Sequence, residues 1–203
     1  MTSPLQTPRQ LLSVNIAQAR HVTIDGRQIL TAIDKHPAST PADPRRIKVG
    51  TLGLEGDEQA DPTVHGGQAK AVYAYPHEHY AFWQTVRAQA GKAGWDDTAN
   101  PGLLGENLTI TGLLEADAYI GDVLRFPDCS LAVSEPRHPC YEFEAKLCRQ
   151  ASKMMVQSGF CGFYLAVRQG GSIAAGEHFE IVPGPREVSI RELFRDQMSR
   201  KKL

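Results

Sequence analysis

The 203-residue chain lacks both a GxGxxG and a P-loop pattern, so neither glycine-rich cradle for a nucleotide is present. No apolar run is long enough to span a bilayer. The one N-terminal apolar segment, after Arg9, is interrupted by Ser13, Asn15 and Gln18 and reads as a first strand rather than a signal peptide. Neither sign of charge is in excess: Lys and Arg number 22, Asp and Glu 23, for a formal net charge of −1. That balance removes the electrostatic motive for a nucleic-acid or membrane partner, and a cytoplasmic location is expected. Cysteine is sparse. The four, at 129, 140, 148 and 161, form no CxxC, and their spacings of 11, 8 and 13 match neither a zinc ribbon nor an iron–sulfur pattern. In a reducing compartment they are four free thiols.

What is present is strand. Residues 11–16 open one, the Asp25-Gly26 turn carries the chain back along 28–33, and 36–46, rich in Pro, Ala, Ser and Thr, reads as an exposed loop ending in a solvated rim of Arg45, Arg46 and Lys48. Residues 49–54 and 71–75 follow as strands. Pro76 is suited to the first position of a helix that buries Tyr80, Trp83 and Val86, with His77 and His79 expected on its exposed first turn. Strands are expected over 105–110, 119–126 and 131–134, then a helix from Phe143 closed by Gly159. Strands 160–167 and 173–182 read as a hairpin through Gln169-Gly170-Gly171-Ser172, and Ser189 with Glu192 makes a capping box for a last helix. Many short strands, few helices and no βαβ rhythm predict a mainly β fold, a closed or partly closed barrel. The barrel domain is expected over 1–183, with a short helical tail over 184–203.

Two stretches carry chemistry. In Ser134-Glu135-Pro136-Arg137-His138-Pro139-Cys140-Tyr141, two prolines stiffen the approach to a thiol. Arg137, His138 and the start of the following helix are all placed to favour a thiolate, the form that attacks or binds metal. The residues alone leave open whether Cys140 is reactive or packed. Cys148 and Cys161 fall in apolar patterns and read as packing, and Cys129 sits in a turn. In Val64-His65-Gly66-Gly67, a glycine pair lets the backbone turn its N–H groups toward an anion, with Lys70 close behind; an ordinary tight turn has the same pattern.

Taken in order, Gly53-Leu54-Glu55-Gly56-Asp57-Glu58-Gln59-Ala60, Val64-His65-Gly66-Gly67, Gly105-Glu106-Asn107-Leu108, Tyr119-Ile120-Gly121-Asp122 and the Val133-to-Tyr141 stretch resemble the MOSC family, the molybdenum-cofactor sulfurase C-terminal domain, and within it the YiiM-like branch. The resemblance covers about residues 50–165. It implies a β-barrel-type domain that binds the molybdenum cofactor through Cys140 and reduces N-hydroxylated compounds, such as hydroxylaminopurines or amidoximes, to amines. A thiolate is a soft ligand suited to molybdenum. Lys70, Arg137 and the His65-Gly66-Gly67 turn are the expected anion contacts, and Asn107 and Ser134 the expected hydrogen-bond partners of the pterin. Where relatives often read His-Gly-Gly-Pro-Asp-Arg, this chain has Gln68-Ala69-Lys70, which keeps a charge but loses the bidentate fork of arginine. The chain shows no electron-transfer motif, so a separate reductase is implied as partner beside a small-molecule substrate. The alternative from another class is a carrier module that holds the cofactor, or a persulfide on Cys140, without turnover. A zinc hydrolase built on His65, His138 and Cys140 lacks regular ligand spacing.

Overall fold

The first strand, β1 (Gln10–Ile16), buries Leu11 and Val14 completely, and Ser13 and Asn15 with them. Buried polar groups need partners. Ser13 donates to Asn15 Oδ1 at 2.7 Å, and Asn15 Nδ2 donates to Glu106 O at 3.2 Å and Thr109 Oγ1 at 3.1 Å, so the polar residues of β1 stitch it to its neighbour in the sheet. The structure, a computed structural model, describes residues 8–60 and 66–200.

After β1 come a hairpin, β2 (Arg20–Ile24) and β3 (Arg27–Thr31), then β4 (His36–Ser39), β5 (Ile47–Gly50) and β6 (Gly53–Leu54). β7 (Val72–Pro76) leads through a 3-10 turn into helix α1 (Tyr80–Gln89), followed by β8 (Leu108–Thr111), β9 (Val123–Arg125) and β10 (Ser130–Pro136). Two short helices, α2 (Tyr141–Lys146) and α3 (Ala151–Ser158), precede β11 (Phe163–Gln169), β12 (Gly171–Ile173), β13 (Glu180–Val182) and α4 (Ile190–Arg200). Eight strands form the main sheet in the order β13-β9-β10-β11-β7-β8-β1-β4, antiparallel except for β7 and β8, whose parallel pairing is reached through α1. β12, β5 and β6 form a second sheet, and β2–β3 stand as a third.

Among the described residues the fold is mainly β with four α-helices, and none of these sheets closes into a barrel. Closure fails at β1. β4 pairs with it from Val14 to Ile16, leaving only its first residues for the other end of the sheet. There a single bridge joins Gln10 to His178, backed by Leu11 N–H to Glu177 O at 2.9 Å and Gly176 N–H to Leu11 O at 2.7 Å. The ends meet without forming a ladder.

Several other expectations change. Residues 36–39 are strand β4, not loop. The Asp25-Gly26 turn does form a hairpin, but β3 pairs with β2 rather than with β1. The expected 160–182 hairpin does not exist: β11 pairs with β10 and β7, β12 with β5, and β13 with β9. Pro76 ends β7, and α1 starts at Tyr80. His79 is buried, stacked on Phe160 at 3.6 Å between ring centres and bonded to Glu115 at 2.8 Å, while His77 is exposed as expected. The helix expected from Phe143 is two helices, and Gly159 closes the second in a left-handed conformation, φ 76°. Ser189 and Glu192 cap α4 reciprocally, at 2.9 and 3.2 Å, and Ile190, Phe194 and Met198 bury its inner face. Among the described residues no helix is long and apolar enough to cross a membrane.

Candidate functional site

Strand β10 stays paired to β11 as far as Pro136↔Phe163, which delivers the next four residues from a fixed point. The last of them, Cys140, is extended (φ −132°, ψ 168°) and immediately precedes α2. Its side chain lines a pocket with about 630 Å³ of free space, mouth included, shared with Lys35, Lys70, Tyr73, Asn107, Arg137, Glu142 and Tyr164. Four of the residues singled out in the sequence, Lys70, Asn107, Arg137 and Cys140, therefore meet in one cleft although they span 70 positions of the chain.

Arg137 is the centre of the wall. Expected as an anion contact, it is only 5 % exposed, lying 4.8 Å from the Tyr73 ring centre and 5.2 Å from that of Phe143. One terminal nitrogen donates to Leu104 O and the other lies 3.8 Å from Cys140 Sγ. Burial works against its charge, yet Tyr73, Tyr164 and Cys140 around it hold its pKa above the ordinary arginine value. Its Nε, also buried, has no hydrogen-bond partner among the described residues. Gly105 permits this packing: at φ 81° its Cα sits so close to Ile33 that a Cβ would stand 2.8 Å from Ile33 Cγ1.

Lys35, from the N-terminal part of the chain, also lines the pocket. Its Nζ pairs with Asp57 Oδ1, and both side chains are nearly sealed, at 9 % and 6 % exposure. Asp57 is itself fixed by Ala17 N–H at 2.9 Å and Asn107 Nδ2 at 2.8 Å. Burial lowers the pKa of Lys35, with Asp57 opposing the shift. Asn107, read from the sequence as a pterin contact, has its amide engaged within the protein: Oδ1 accepts Tyr73 N–H at 3.1 Å, and Nδ2 also reaches Asn15 O at 3.2 Å.

The remaining sequence candidates sit around the rim or outside it. Ser134 donates to Ala69 O at 2.5 Å and so ties β10 to the 3-10 turn Gln68–Lys70. Lys70 Nζ lies 3.7 Å from Glu135 and 5.9 Å from the Tyr164 ring centre. Gly66 and Gly67 lead into that turn; the Gly67 N–H donates to Gln59 Oε1 at 3.3 Å. His65 lies outside the described residues. His138 Nε2 lies 2.6 Å from Gln197 Oε1 on α4, and His138 is not among the residues that line the pocket. Cys129, Cys148 and Cys161 are buried, and burial pushes the Cys129 thiol up to about 12 and the Cys161 thiol higher than usual as well. The sequence reading missed Lys35, Tyr73, Glu142 and Tyr164. Tyr73 and Tyr164 reach the pocket through the pairing of β7 with β11, which no local signal marks, whereas Glu142 follows Cys140 by two residues in α2.

Residues 61–180 match the MOSC domain. The chain belongs to the MOSC domain family. YflK of Bacillus subtilis is 34 % identical over 183 residues, covering 89 % of this chain and 77 % of YflK. YiiM of Escherichia coli is 32 % identical over 167 residues, 79 % of this chain and 72 % of YiiM. A Gibberella moniliformis protein named Reductase is 30 % identical over 186 residues, which are 91 % of this chain but 31 % of that protein. The crystal structure of YiiM from Geobacillus stearothermophilus matches with a TM-score of 0.73 at 29 % identity, covering 97 % of this chain and 87 % of YiiM. Within this MOSC domain Lys70, Arg137 and Cys140 fall in the matched 61–180 segment, whereas Lys35 and Asp57 precede it.

Proposed function

We propose that this MOSC domain is a molybdenum-cofactor-dependent reductase that converts N-hydroxylated compounds to amines, with Cys140 as the protein ligand of the metal. The observation that carries this reading is a half-buried thiol sharing a pocket with Lys70 and Arg137, the guanidinium lying 3.8 Å from the sulfur. The cofactor is anionic through its phosphate and soft through its sulfurs and metal. One accessible thiol with Lys70 and Arg137 around it fits both properties, whereas the Lys35 charge is answered by Asp57. Asn107 lines the same space and holds Asp57 and the Tyr73 backbone. When bound, the cofactor supplies a redox centre that passes two electrons to the substrate. The protein orients that centre through Cys140, balances its charge through the cations and shields the site between Tyr73 and Tyr164. The fungal relative named Reductase carries its matching segment within a longer chain, which favours the reductase reading and an electron supply from outside this domain.

The test is purification from a host that makes the cofactor, metal analysis, and an assay of amine formation from a hydroxylaminopurine or an amidoxime with dithionite and a mediator dye. Molybdenum without turnover would favour the cofactor-carrier alternative; no molybdenum would overturn both of these and leave only a persulfide carrier on Cys140. A mutational corollary separates the two cations. Lys70→Ala is expected to weaken cofactor retention about ten- to a hundredfold while stability changes by less than about 0.5 kcal/mol, since the side chain is half-exposed. Arg137→Ala should lose the cofactor too, but at a cost of about 3 kcal/mol in unfolding free energy, because it empties a buried site and strands the Leu104 carbonyl. Equal molybdenum content in wild type and both variants would count against the assignment.

A further inference from the structure

Reduction of an N-hydroxy group consumes protons as well as electrons: R–NH–OH + 2e⁻ + 2H⁺ gives R–NH₂ + H₂O. The oxygen ends in water, and a proton delivered as the N–O bond breaks makes it a better leaving group, so a proton donor in the pocket has a defined task. Most of the lining is unsuited to it. The Tyr73 hydroxyl is committed to Cys161 O at 2.8 Å, and burial raises the pKa of both Tyr73 and Tyr164. Arginine does not release a proton in proteins, which removes Arg137. Glu142 accepts the Thr31 hydroxyl at 2.7 Å and Glu58 accepts Ala19 N–H at 2.8 Å, so both carboxylates are engaged as acceptors. Lys70 is 30 % exposed beside Glu135.

Lys35 is different in kind. It is a nearly sealed ammonium on the pocket wall, aimed by a carboxylate that two N–H groups hold in turn. We propose that Lys35 donates the proton to the departing oxygen of the N–OH group, with Asp57 as its positioning residue. The inference rests on the reductase reading above. In this step the N–O bond breaks and the Lys35 proton goes to oxygen, which leaves as water. Two electrons, from a flavin or iron–sulfur reductase or from dithionite in the assay, end on nitrogen, whose proton comes from solvent. Lys35 is then reprotonated from solvent. The charged groups facing it are Asp57 and Glu106, which favour the ammonium, and Arg137, which opposes it; burial opposes it most. Its pKa accordingly lies below that of an ordinary lysine, which brings a strong positive anchor closer to a usable acid. The sign follows: turnover requires the protonated form, so kcat falls as pH rises through that pKa.

The experiment uses cofactor-loaded wild type, Lys35→Gln and Lys35→Arg, together with lysine Cε NMR titration of the apo proteins. Lys35→Arg retains the charge beside Asp57 and so protects the fold, but cannot give up a proton. Both variants are expected to keep wild-type molybdenum content and to lose at least about 100-fold in kcat, the usual range for a missing general acid, with KM within about threefold of wild type. The wild-type spectrum should show one resonance, absent from Lys35→Gln, titrating below the other lysines. Near-wild-type kcat in Lys35→Arg would overturn the proposal, as would loss of molybdenum from the variants, which would make Lys35 an anion anchor. A Lys35 resonance titrating with the surface lysines would overturn it irrespective of turnover. Failure of the reductase reading is distinguishable, because it appears in the wild type as loaded protein without activity and takes this inference down with it.

Discussion

Cys140→Ser is expected to cut N-hydroxy reduction by more than about 100-fold without disturbing the fold, a loss beyond that usual for a residue behind a metal ligand. Serine is nearly isosteric with cysteine, and the extended backbone at 140 (φ −132°) accepts either residue. The change lies in the ligand: a hard alcohol of high pKa replaces a soft thiolate, and molybdenum prefers the latter. Arg137, 3.8 Å from the sulfur, strengthens the contrast because it favours a negative charge there. The other three thiols serve as controls. Cys129, Cys148 and Cys161 are 3 %, 4 % and 0 % exposed and take no part in the pocket lining. Their serine variants should keep wild-type turnover and lose about 1–2 kcal/mol of stability, the cost of placing a hydroxyl in an apolar site. Turnover would be compared at equal molybdenum content. Wild-type rates in Cys140→Ser would make this sulfur a packing residue and end the proposed chemistry.

Cys140 was legible because its distinguishing features are local. Two prolines, an arginine and the start of a helix surround it within eight residues, and strand β10 does deliver the segment. The β character was equally legible from short apolar runs between glycine and proline punctuation. Strand partners were not. β11 and β12 are adjacent in the chain, yet β12 pairs with β5, more than a hundred residues earlier, so the apparent hairpin at Gly170 is a change of sheet. Charged residues failed for a related reason. Lys35, in Asp34-Lys35-His36, looks like surface, and Arg137 beside His138 looks like a rim. Their burial is created by Asp57 in one case and by Tyr73 and Phe143 in the other, none of which is signalled by sequence proximity. His79 repeats the lesson, since Glu115 and Phe160 turn an apparent surface histidine into a core one.

The largest stability loss is expected at Glu106, which the sequence presented only as part of Gly105-Glu106-Asn107-Leu108. It is fully buried, and its carboxylate gathers donors from three segments. Oε1 accepts Gly102 N–H at 2.7 Å, the Thr109 hydroxyl at 2.8 Å and the Tyr80 hydroxyl, while Oε2 accepts Leu104 N–H at 3.0 Å. Burial and the carboxylate itself push the Tyr80 pKa up, so that hydroxyl remains a donor. The two backbone contacts shape the loop whose Leu104 carbonyl holds Arg137, which links this buried acid to the wall of the pocket. Glu106→Ala strands these donors at once. Each unpaired buried group costs about 1–3 kcal/mol, and with partial relaxation a total loss of about 4 kcal/mol is expected, comparable to breaking a buried charged pair. Glu106→Gln keeps the shape and need oppose only Leu104 N–H if its nitrogen takes the Oε2 position, so about 2 kcal/mol is expected. Urea unfolding should rank wild type above Gln and Gln above Ala, and the folded Gln variant should retain less molybdenum than wild type because Arg137 is less firmly placed. An alanine variant within about 1 kcal/mol of wild type, inside the range of ordinary surface changes, would mean that water or a shifted loop replaces the carboxylate and that Arg137 is held in place without it.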